Sequence, residues 1–593
     1  MAEDGMTPET REEYSAQIPA VQALSSLGWE YISTAECLAA RGGSADVILA
    51  GVLVDELRKR RFEYKGKEYP LSTNAIGQIV RELATVPLHE GLGAANEQLY
   101  NKITLGVTVT EFIDGKKHSP TIPIIDWTNV ANNSFIVTEE LEVLSSGGTH
   151  TRRPDVVCYV NGLPLVVIEA KRPVSGNPNK SMIDEGISQN IRNQKTEEIP
   201  KLFAYSQILM SISGTNARYG TTRTPKKFWA NWRDEEFDDA YFKEVVNRPV
   251  EDEFKDAVFS GRSSKLRSFF EGLWSGGRLP NEQDRMLISL LSPERLLEFV
   301  RFFILFDSKI GKIAARYPQV FGVKKLIERL RTNKKGGGRE GGVIWHTTGS
   351  GKSFTMVFLC KALLIHEALK NCRMVVVTDR VDLEKQLAKT FLTGGAFGSA
   401  VTSKKDGEKA KVRSGRDLAK RIGQSNERII FTIIDKFLTA SKFKDCFNSS
   451  EDMIVLVDEG HRSHGGEGHE RMRKALPNAA YIAFTGTPLL KDDKTASKFG
   501  PIIHPYTMQR AIEDGMVTPL LYEERKPELD VNEKAIDNWF EKITAGLSDK
   551  QKSDLKQKWG KKVPVFGSAN RIELIAWDIA VHFDENIKKL GQG

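Results

Sequence analysis

Asp155, Glu169 and Lys171 are residue types that, brought together, could cut a phosphodiester bond. Two carboxylates can hold a divalent cation that activates water and neutralises charge. A lysine beside them can position the nucleophile or stabilise the transition state. A second group of residues suits a different chemistry. His346 to Ser353 read HTTGSGKS, and the glycines at 349 and 351 let successive backbone N–H groups turn toward a phosphate. Lys352 would reach the β- and γ-phosphates of a nucleotide such as ATP, and Ser353 would complete the shell of a Mg²⁺ ion. Thr348 and Ser350 belong to the same cradle. The strict spacing has glycine where this chain has His346.

Each group needs particular elements to hold it. Residues 152–173 read RRPDVVCYVNGLPLVVIEAKRP, in which two apolar, β-branched runs flank Asn161-Gly162, a strong hairpin signature. Asp155 opens the first strand and Glu169 ends the second. Alternation puts Glu169 and Lys171 on one face. A plain two-residue turn would pair Asp155 with Ile168 and leave Glu169 facing away. Shared metal binding by Asp155 and Glu169 therefore predicts a bulge or a longer turn that sets the two acids opposite each other.

The phosphate loop needs a strand before it and a helix after it. Gly342-Val343-Ile344-Trp345 and Phe354 to Leu359 supply those patterns. Strand and helix then alternate through MVVVTD, IIFTII, MIVLVDE and YIAFTGT, which predicts a parallel sheet wrapped by helices. Such sheets bind ligands at the carboxyl ends of their strands. Thr378-Asp379-Arg380, Asp458-Glu459-Gly460-His461 and Thr485-Gly486-Thr487 fall at those ends. Asp458 is placed to hold Mg²⁺ through water, and Glu459 to orient an attacking water.

At 593 residues, several domains are expected. With 40% hydrophobic and 27% charged residues, the chain has the composition of an ordinary soluble protein. A net charge of +7 permits a polyanionic partner without requiring one. Five scattered cysteines without a CxxC pair argue against zinc sites and for a reducing compartment. The acidic, polar first residues do not read as a signal peptide, and no apolar run approaches the ~20 residues that span a bilayer. The expectation is a cytoplasmic protein with no membrane partner.

Helical spacing is read at Gln17–Leu27, Val47–Arg61, Ala75–Leu83, Ile187–Ser211, Arg285–Ile304 and Lys309–Leu330, and at an amphipathic Glu573–Leu590. Strands are read at Ile103–Thr110, Ile122–Asp126, Ser134–Val143, Asp155–Val160 and Leu165–Glu169. Residues 218–233 read as a loop or domain margin.

With these residues in view, the later half resembles lobe 1 of a superfamily-2 helicase or translocase, with DEGH standing where DEAH or DEAD usually stands. The resemblance implies nucleotide contact for His461 and DNA-backbone contact for Thr378, Arg380, Thr485 and Thr487. It also implies adenine recognition by Gln319, within Arg316-Tyr317-Pro318-Gln319. The segment around Asp155 resembles the PD-(D/E)xK nuclease core. Members of that family often add an upstream acid, for which Glu82 and Glu97 both remain open. Gln189 fits the glutamine of a QxxxY element that contacts DNA in some of them, but Asn193 stands at the tyrosine position.

Nuclease before motor, together with strings such as VNGLPLVVIEAKRP, WHTTGSGKSFTM and VVVTDRVDLEKQL, is similar to the R subunit of type I restriction enzymes. That resemblance implies an α/β chain with an endonuclease domain over 1–255 (core about 75–215) and a helical connector over 256–335. A RecA-like motor lobe follows over 336–505, and a second lobe begins over 506–593. It implies ATP-driven translocation of double-stranded DNA and Mg²⁺-dependent cleavage of unmethylated DNA away from the recognition site, with methyltransferase and specificity subunits as partners. A chain stopping early in the second lobe predicts weak nucleotide binding and negligible coupled hydrolysis. The alternatives are another nuclease–helicase fusion of repair or anti-phage defence, and a nucleotide-gated DNA-binding subunit without catalysis.

Overall fold

The computed structural model describes residues 11–174, 181–307, 310–334, 337–378, 412–424, 427–458, 467–487, 499–518, 538, 540–559 and 569–588. Two compact units divide the chain, Met1–Val517 and Thr518–Gly593. Both candidate sites lie in the first. The second contains helices at Asp549–Trp559 and Ala569–His582, the latter running on into a π-helical turn at Phe583–Ile587. Among the described residues, no helix is long and apolar enough to cross a membrane.

The first sheet has six strands, β1 (Glu30–Tyr31), β2 (Phe135–Glu139), β3 (Val156–Val160), β4 (Leu163–Ala170), β5 (Ile208–Ile212) and β6 (Ala217–Gly220), side by side in chain order. It is mixed: β1–β2 and β4–β5 run parallel, the other neighbours antiparallel. Every residue of β2 to β5 is buried, so their continuous apolar runs fit a sheet covered on both faces.

The β3–β4 connection decides the register. Asn161 and Gly162 both take left-handed conformations, φ 50° and 81°, as a two-residue type I′ turn demands. A side chain at 162 would stand 2.5 Å from the Leu49 carbonyl oxygen, so only glycine fits. From the turn outward, Val160 faces Leu163 and Tyr159 faces Pro164, but Cys158 faces Val166. Leu165 is the extra residue of a bulge, next to a proline that has no N–H to offer the ladder. Val156 then faces Ile168, and the next pair outward is Asp155 with Glu169. The bulge expected from shared metal binding is present.

After the first sheet, helices Glu282–Leu291 and Pro293–Phe302 break at Ser292-Pro293. A hairpin of β7 (Ile304–Asp307) and β8 (Gly311–Ala314) follows, and then α1 (Tyr317–Leu330). The second sheet is all parallel. Its strands are β9 (Gly342–His346), β10 (Arg373–Thr378), β11 (Ile429–Ile433), β12 (Met453–Asp458), β13 (Ala480–Thr485) and β14 (Ile502–Tyr506), in the order β11-β10-β12-β13-β9-β14. The helix after β9 is α2 (Lys352–Ile365). One apolar core runs continuously from the first sheet through the intervening helices into the second.

Three expected elements are corrected. Ile103 to Leu105 finish a helix (Leu92–Leu105), leaving only Val107–Thr108 as strand. Ile208–Ile212 is strand β5 rather than the end of a helix, because a short, wholly buried apolar run fits either period. The connector is not wholly helical: β7 and β8 interrupt it where Gly311 takes φ 90°.

Candidate active sites

The bulge brings Asp155 and Glu169 to one place at the end of the first sheet, and Lys171 comes with them. Lys171 Nζ lies 3.0 Å from Asp155 Oδ2 and 3.7 Å from Glu169 Oε2. Backbone bonds fix the arrangement: the Ala170 N–H donates to Asp155 Oδ2 at 2.7 Å, and the Lys171 N–H donates to the Ile212 carbonyl at 2.8 Å. A third acid arrives from far away in the chain. Glu12 Oε1 is 3.3 Å from Lys171 Nζ. Glu82 instead neighbours Gln78 and Lys102, and the acid that pairs with this lysine beside Asp155 and Glu169 is Glu12, which the sequence did not offer.

Helix Met182–Asn193 packs over this point, where Gly186 is so close to β4 and β5 that a Cβ would meet Ser211 Oγ at 2.3 Å and Glu169 Cβ at 3.4 Å. Asn193 donates to Glu169 Oε1 at 3.5 Å. The residue at the tyrosine position of the incomplete QxxxY element thus touches the acid cluster directly. Gln189 is half-buried on the same helix, and its Oε1 has no hydrogen-bond partner.

The charges at this site are under strain. Burial, and then the Asp155 carboxylate, push the Glu169 carboxyl well above the usual range. Burial lifts Glu12 to about 7 despite Lys171, with Asp155 adding to the rise. Burial pulls the Lys171 amine down, but Asp155, Glu169 and Glu12 together outweigh it, and the net shift is upward. Three carboxylates thus surround one ammonium, and two of them resist ionisation. An all-oxygen donor set short of positive charge suits a hard divalent cation such as Mg²⁺. Among the described residues, no three His, Cys, Asp or Glu side chains converge as a ready-made metal cage. The cluster is two acids and a flanking third arranged about an amine.

The second site lies at the carboxyl end of β9. The loop from Thr347 to Gly351 has Gly349 and Gly351 at φ 85° and 88°, the left-handed turns its bending requires, and α2 begins at Lys352. Thr348 is exposed, Ser353 half-buried, and Ser350 donates to the Thr347 carbonyl at 2.6 Å. The strand-tip cluster at Gly486 abuts the loop: a Cβ there would stand 2.7 Å from Thr348 Oγ1 and 3.3 Å from Lys352 Nζ. Asp458 ends β12, the neighbour of β13.

Gln319 donates to the Gly351 carbonyl at 3.1 Å and accepts from the Arg316 N–H at 2.9 Å, which seats it against the loop. Beside it is a largely apolar cavity of about 290 Å³, lined by Tyr219, Phe228, Arg316, Gln319, Gly351 and Phe354 among others. The segment that reads as a domain margin therefore supplies one wall. Of the threonines assigned to DNA contact, Thr378 and Thr485 are 2% and 0% exposed, whereas Thr487 is on the surface. Burial leaves Thr378 and Thr485 no surface to offer a strand in this conformation. Arg380, Glu459 and His461 lie outside the described residues.

A mixed α/β chain with a parallel-sheet, helicase-like motor fold and a separate acid–lysine cluster is the class these features define. Residues 9–228 match the family model of the type I restriction enzyme R protein N terminus, and residues 318–553 match that of the SWI2/SNF2 ATPase. The chain is 31% identical to the type I restriction enzyme HindI endonuclease subunit of Haemophilus influenzae, over 95% of this chain and 50% of that protein. It is 28% identical to the putative type I restriction enzyme MjaIXP endonuclease subunit of Methanocaldococcus jannaschii, over 97% and 52%. A solved fragment of a putative HsdR subunit of a type I restriction enzyme from Vibrio vulnificus aligns with 69% of this chain and 55% of its own, at 15% identity and a TM-score of 0.24. Its N-terminal region thus matches the type I restriction enzyme R protein family and its later half the SWI2/SNF2 ATPase family, and the chain spans about half the length of the curated relatives it matches.

Proposed function

We propose that this chain carries the nuclease centre and the nucleotide site of a type I restriction enzyme R subunit. It would act on unmethylated double-stranded DNA in a complex with methyltransferase and specificity subunits. The observation that carries the reading is the bulge at Leu165, because without it Asp155 and Glu169 would face opposite sides of the sheet. The first domain is read as a PD-(D/E)xK nuclease. Asp155 and Glu169 would hold Mg²⁺, with Glu12 as the additional acid. Bound there, the cation would supply charge neutralisation and a more acidic water. Lys171, held within reach of all three carboxylates, would position the nucleophile or stabilise charge at the phosphorus. Asn193 orients Glu169, and Gln189, with its amide oxygen unpartnered, is assigned to DNA contact.

At the second site Thr348, Gly349, Ser350, Gly351, Lys352 and Ser353 would cradle the phosphates of ATP, and Gln319 would read its base beside the cavity. Ser353 and Asp458 would hold its Mg²⁺. Glu459 would orient the water, His461 would contact the nucleotide, and Arg380 and Thr487 would contact DNA. Thr378 and Thr485 would act from inside the sheet unless the strand tips open.

The test is cleavage of circular unmethylated DNA by the assembled complex with ATP and Mg²⁺. Asp155→Asn and Lys171→Ala should abolish cutting while leaving nucleotide binding, and Lys352→Ala should abolish both. Full cutting by Asp155→Asn or Lys171→Ala would remove the proposed chemistry.

A further inference from the structure

His346, the residue that departs from the glycine pattern of the phosphate loop, is fully buried. Its Nε2 lies 2.8 Å from Nδ1 of His504, and Nε2 of His504 lies 2.8 and 3.1 Å from the two Glu235 carboxylate oxygens. Lys325 closes the row, 2.6 Å from Glu235. These residues come from β9, β14, the segment after the first sheet, and α1. Gly322 of α1 leaves the space for the ring pair. A Cβ there would stand 3.4 Å from Cε1 of His346 and 3.6 Å from Nδ1 of His504.

The bonding order limits where the protons can sit. Glu235 is held in its ionised form: burial pushes its carboxyl up, but His504 and Lys325 outweigh that and lower it. A carboxylate can only accept, so Nε2 of His504 carries the proton that it donates. Across the 2.8 Å between Nδ1 of His504 and Nε2 of His346 one ring must donate and the other accept, so the two rings are locked to each other. The other nitrogen of His346, Nδ1, is a buried atom without a hydrogen-bond partner, so the ring is held through Nε2 alone. Burial, then His504 and Lys352, hold His346 well below its usual range and keep it neutral. Two residues downstream of His346 the loop makes its exposed turn. The next residue after His346, Thr347, is already tied to β14 by its N–H on the Tyr506 carbonyl at 2.9 Å.

We propose that Glu235, His504 and His346 form a positioning relay. The Glu235 carboxylate, outside the loop, fixes one tautomer and one ring orientation at the strand end from which the phosphate loop departs. Nucleotide affinity then depends on a residue that touches no nucleotide. The proposal rests on the nucleotide reading above. It departs from the simpler view that His346 merely fills the place of a glycine.

The test measures the affinity of the full chain for a fluorescent ATP analogue with Mg²⁺, in the wild type and in H346G, E235Q, E235D and K352A. H346G, although it restores the strict glycine, should weaken binding about 10- to 100-fold, and E235Q should weaken it several-fold, on the scale of other orienting partners of a site histidine. E235D should recover part of the E235Q loss. A second readout is the imidazole nitrogen spectrum, which should show a single tautomer at His346 in the wild type and a mixture in E235Q. H346G binding as tightly as the wild type overturns the relay. Should H346G fail to fold, E235Q with unchanged affinity and unchanged tautomer overturns it equally. Wild type and K352A alike in failing to bind would instead sink the nucleotide reading, and the relay's role with it.

Discussion

Around Lys171, three carboxylates share one amine. The loop from Thr347 to Gly351, in contrast, presents backbone N–H groups, two left-handed glycines and the Lys352 amine. The first place gathers carboxylates about one amine, and the second gathers backbone N–H donors and an amine at a helix N-terminus. Their chemistry follows from that difference: an acid cluster invites a cation, and a helix N-terminus with a lysine invites a phosphate. The sheets beneath them differ accordingly. A mixed sheet with a bulge can align acids from adjacent antiparallel strands, whereas an all-parallel sheet collects motifs at one edge.

The contrast is broken most severely by removing one group from each place. Asp155→Asn or Lys171→Ala should lower DNA cutting by the complex about 10³-fold, the scale of losing a principal electrostatic group, with nucleotide affinity unchanged. Lys352→Ala should do the reverse to direct binding, leaving metal affinity intact. If either substitution damages both sites equally, they are not separable. Smaller is the effect of Glu12→Gln, which should weaken metal binding about 10- to 100-fold if Glu12 belongs to the metal's surroundings. Near-wild-type metal affinity would demote Glu12 to a neighbour of Lys171.

A pH series sharpens the same contrast. Glu12, lifted to about 7, binds more protons in the folded chain than in the unfolded chain above its ordinary value of 4.5. Its contribution to stability is therefore present below 4.5 and fades as pH rises through 7. In metal-free protein, thermal stability should fall across that window. Mg²⁺ should reverse the fall, and Glu12→Gln should flatten it. A pH profile in Glu12→Gln identical to the wild type's would contradict the assignment.

The smallest effect concerns the join between the two regions. Lys361 on α2 donates to Tyr100 Oη at 2.6 Å and to the Ile304 carbonyl at 2.7 Å, and burial lowers its amine from 10.5 to about 7. Here the unfolded chain binds more protons between those values, so this group makes stability rise with pH from about 7 to 10.5. Lys361→Met should remove that slope, as read by denaturant midpoints at pH 7 and 9. An unchanged slope would place the charge elsewhere.

Much of the fold and of both sites was legible in the chain itself, for physical reasons. Across the Asn-Gly turn, shared metal binding by Asp155 and Glu169 required a bulge or a longer connection, and Leu165 provides the bulge. The phosphate loop and the strands after it stood out because each buried, apolar strand ends in a polar cluster, the pattern of a parallel sheet that binds ligand at its carboxyl edge. What escaped had no local signature. Glu12 lies in an acidic, polar stretch with no motif of its own, and only tertiary contact takes it to Lys171. Strand β5 was hidden because a short buried run has no decisive period, and β14 because Ile502–Tyr506 carries a proline and a histidine in its middle. His346 was visible only as an exception to a pattern. Its partners, Glu235 and His504, sit too far away in sequence to be seen with it.

The central claim is that Asp155 and Glu169, aligned by the bulge, hold a divalent cation. Calorimetric titration of the whole chain with Mn²⁺ at pH 7, beside Asp155→Asn, tests it most directly. The account predicts wild-type binding with release of protons from the acid cluster, and no comparable isotherm for Asp155→Asn. Equal binding by both would contradict it.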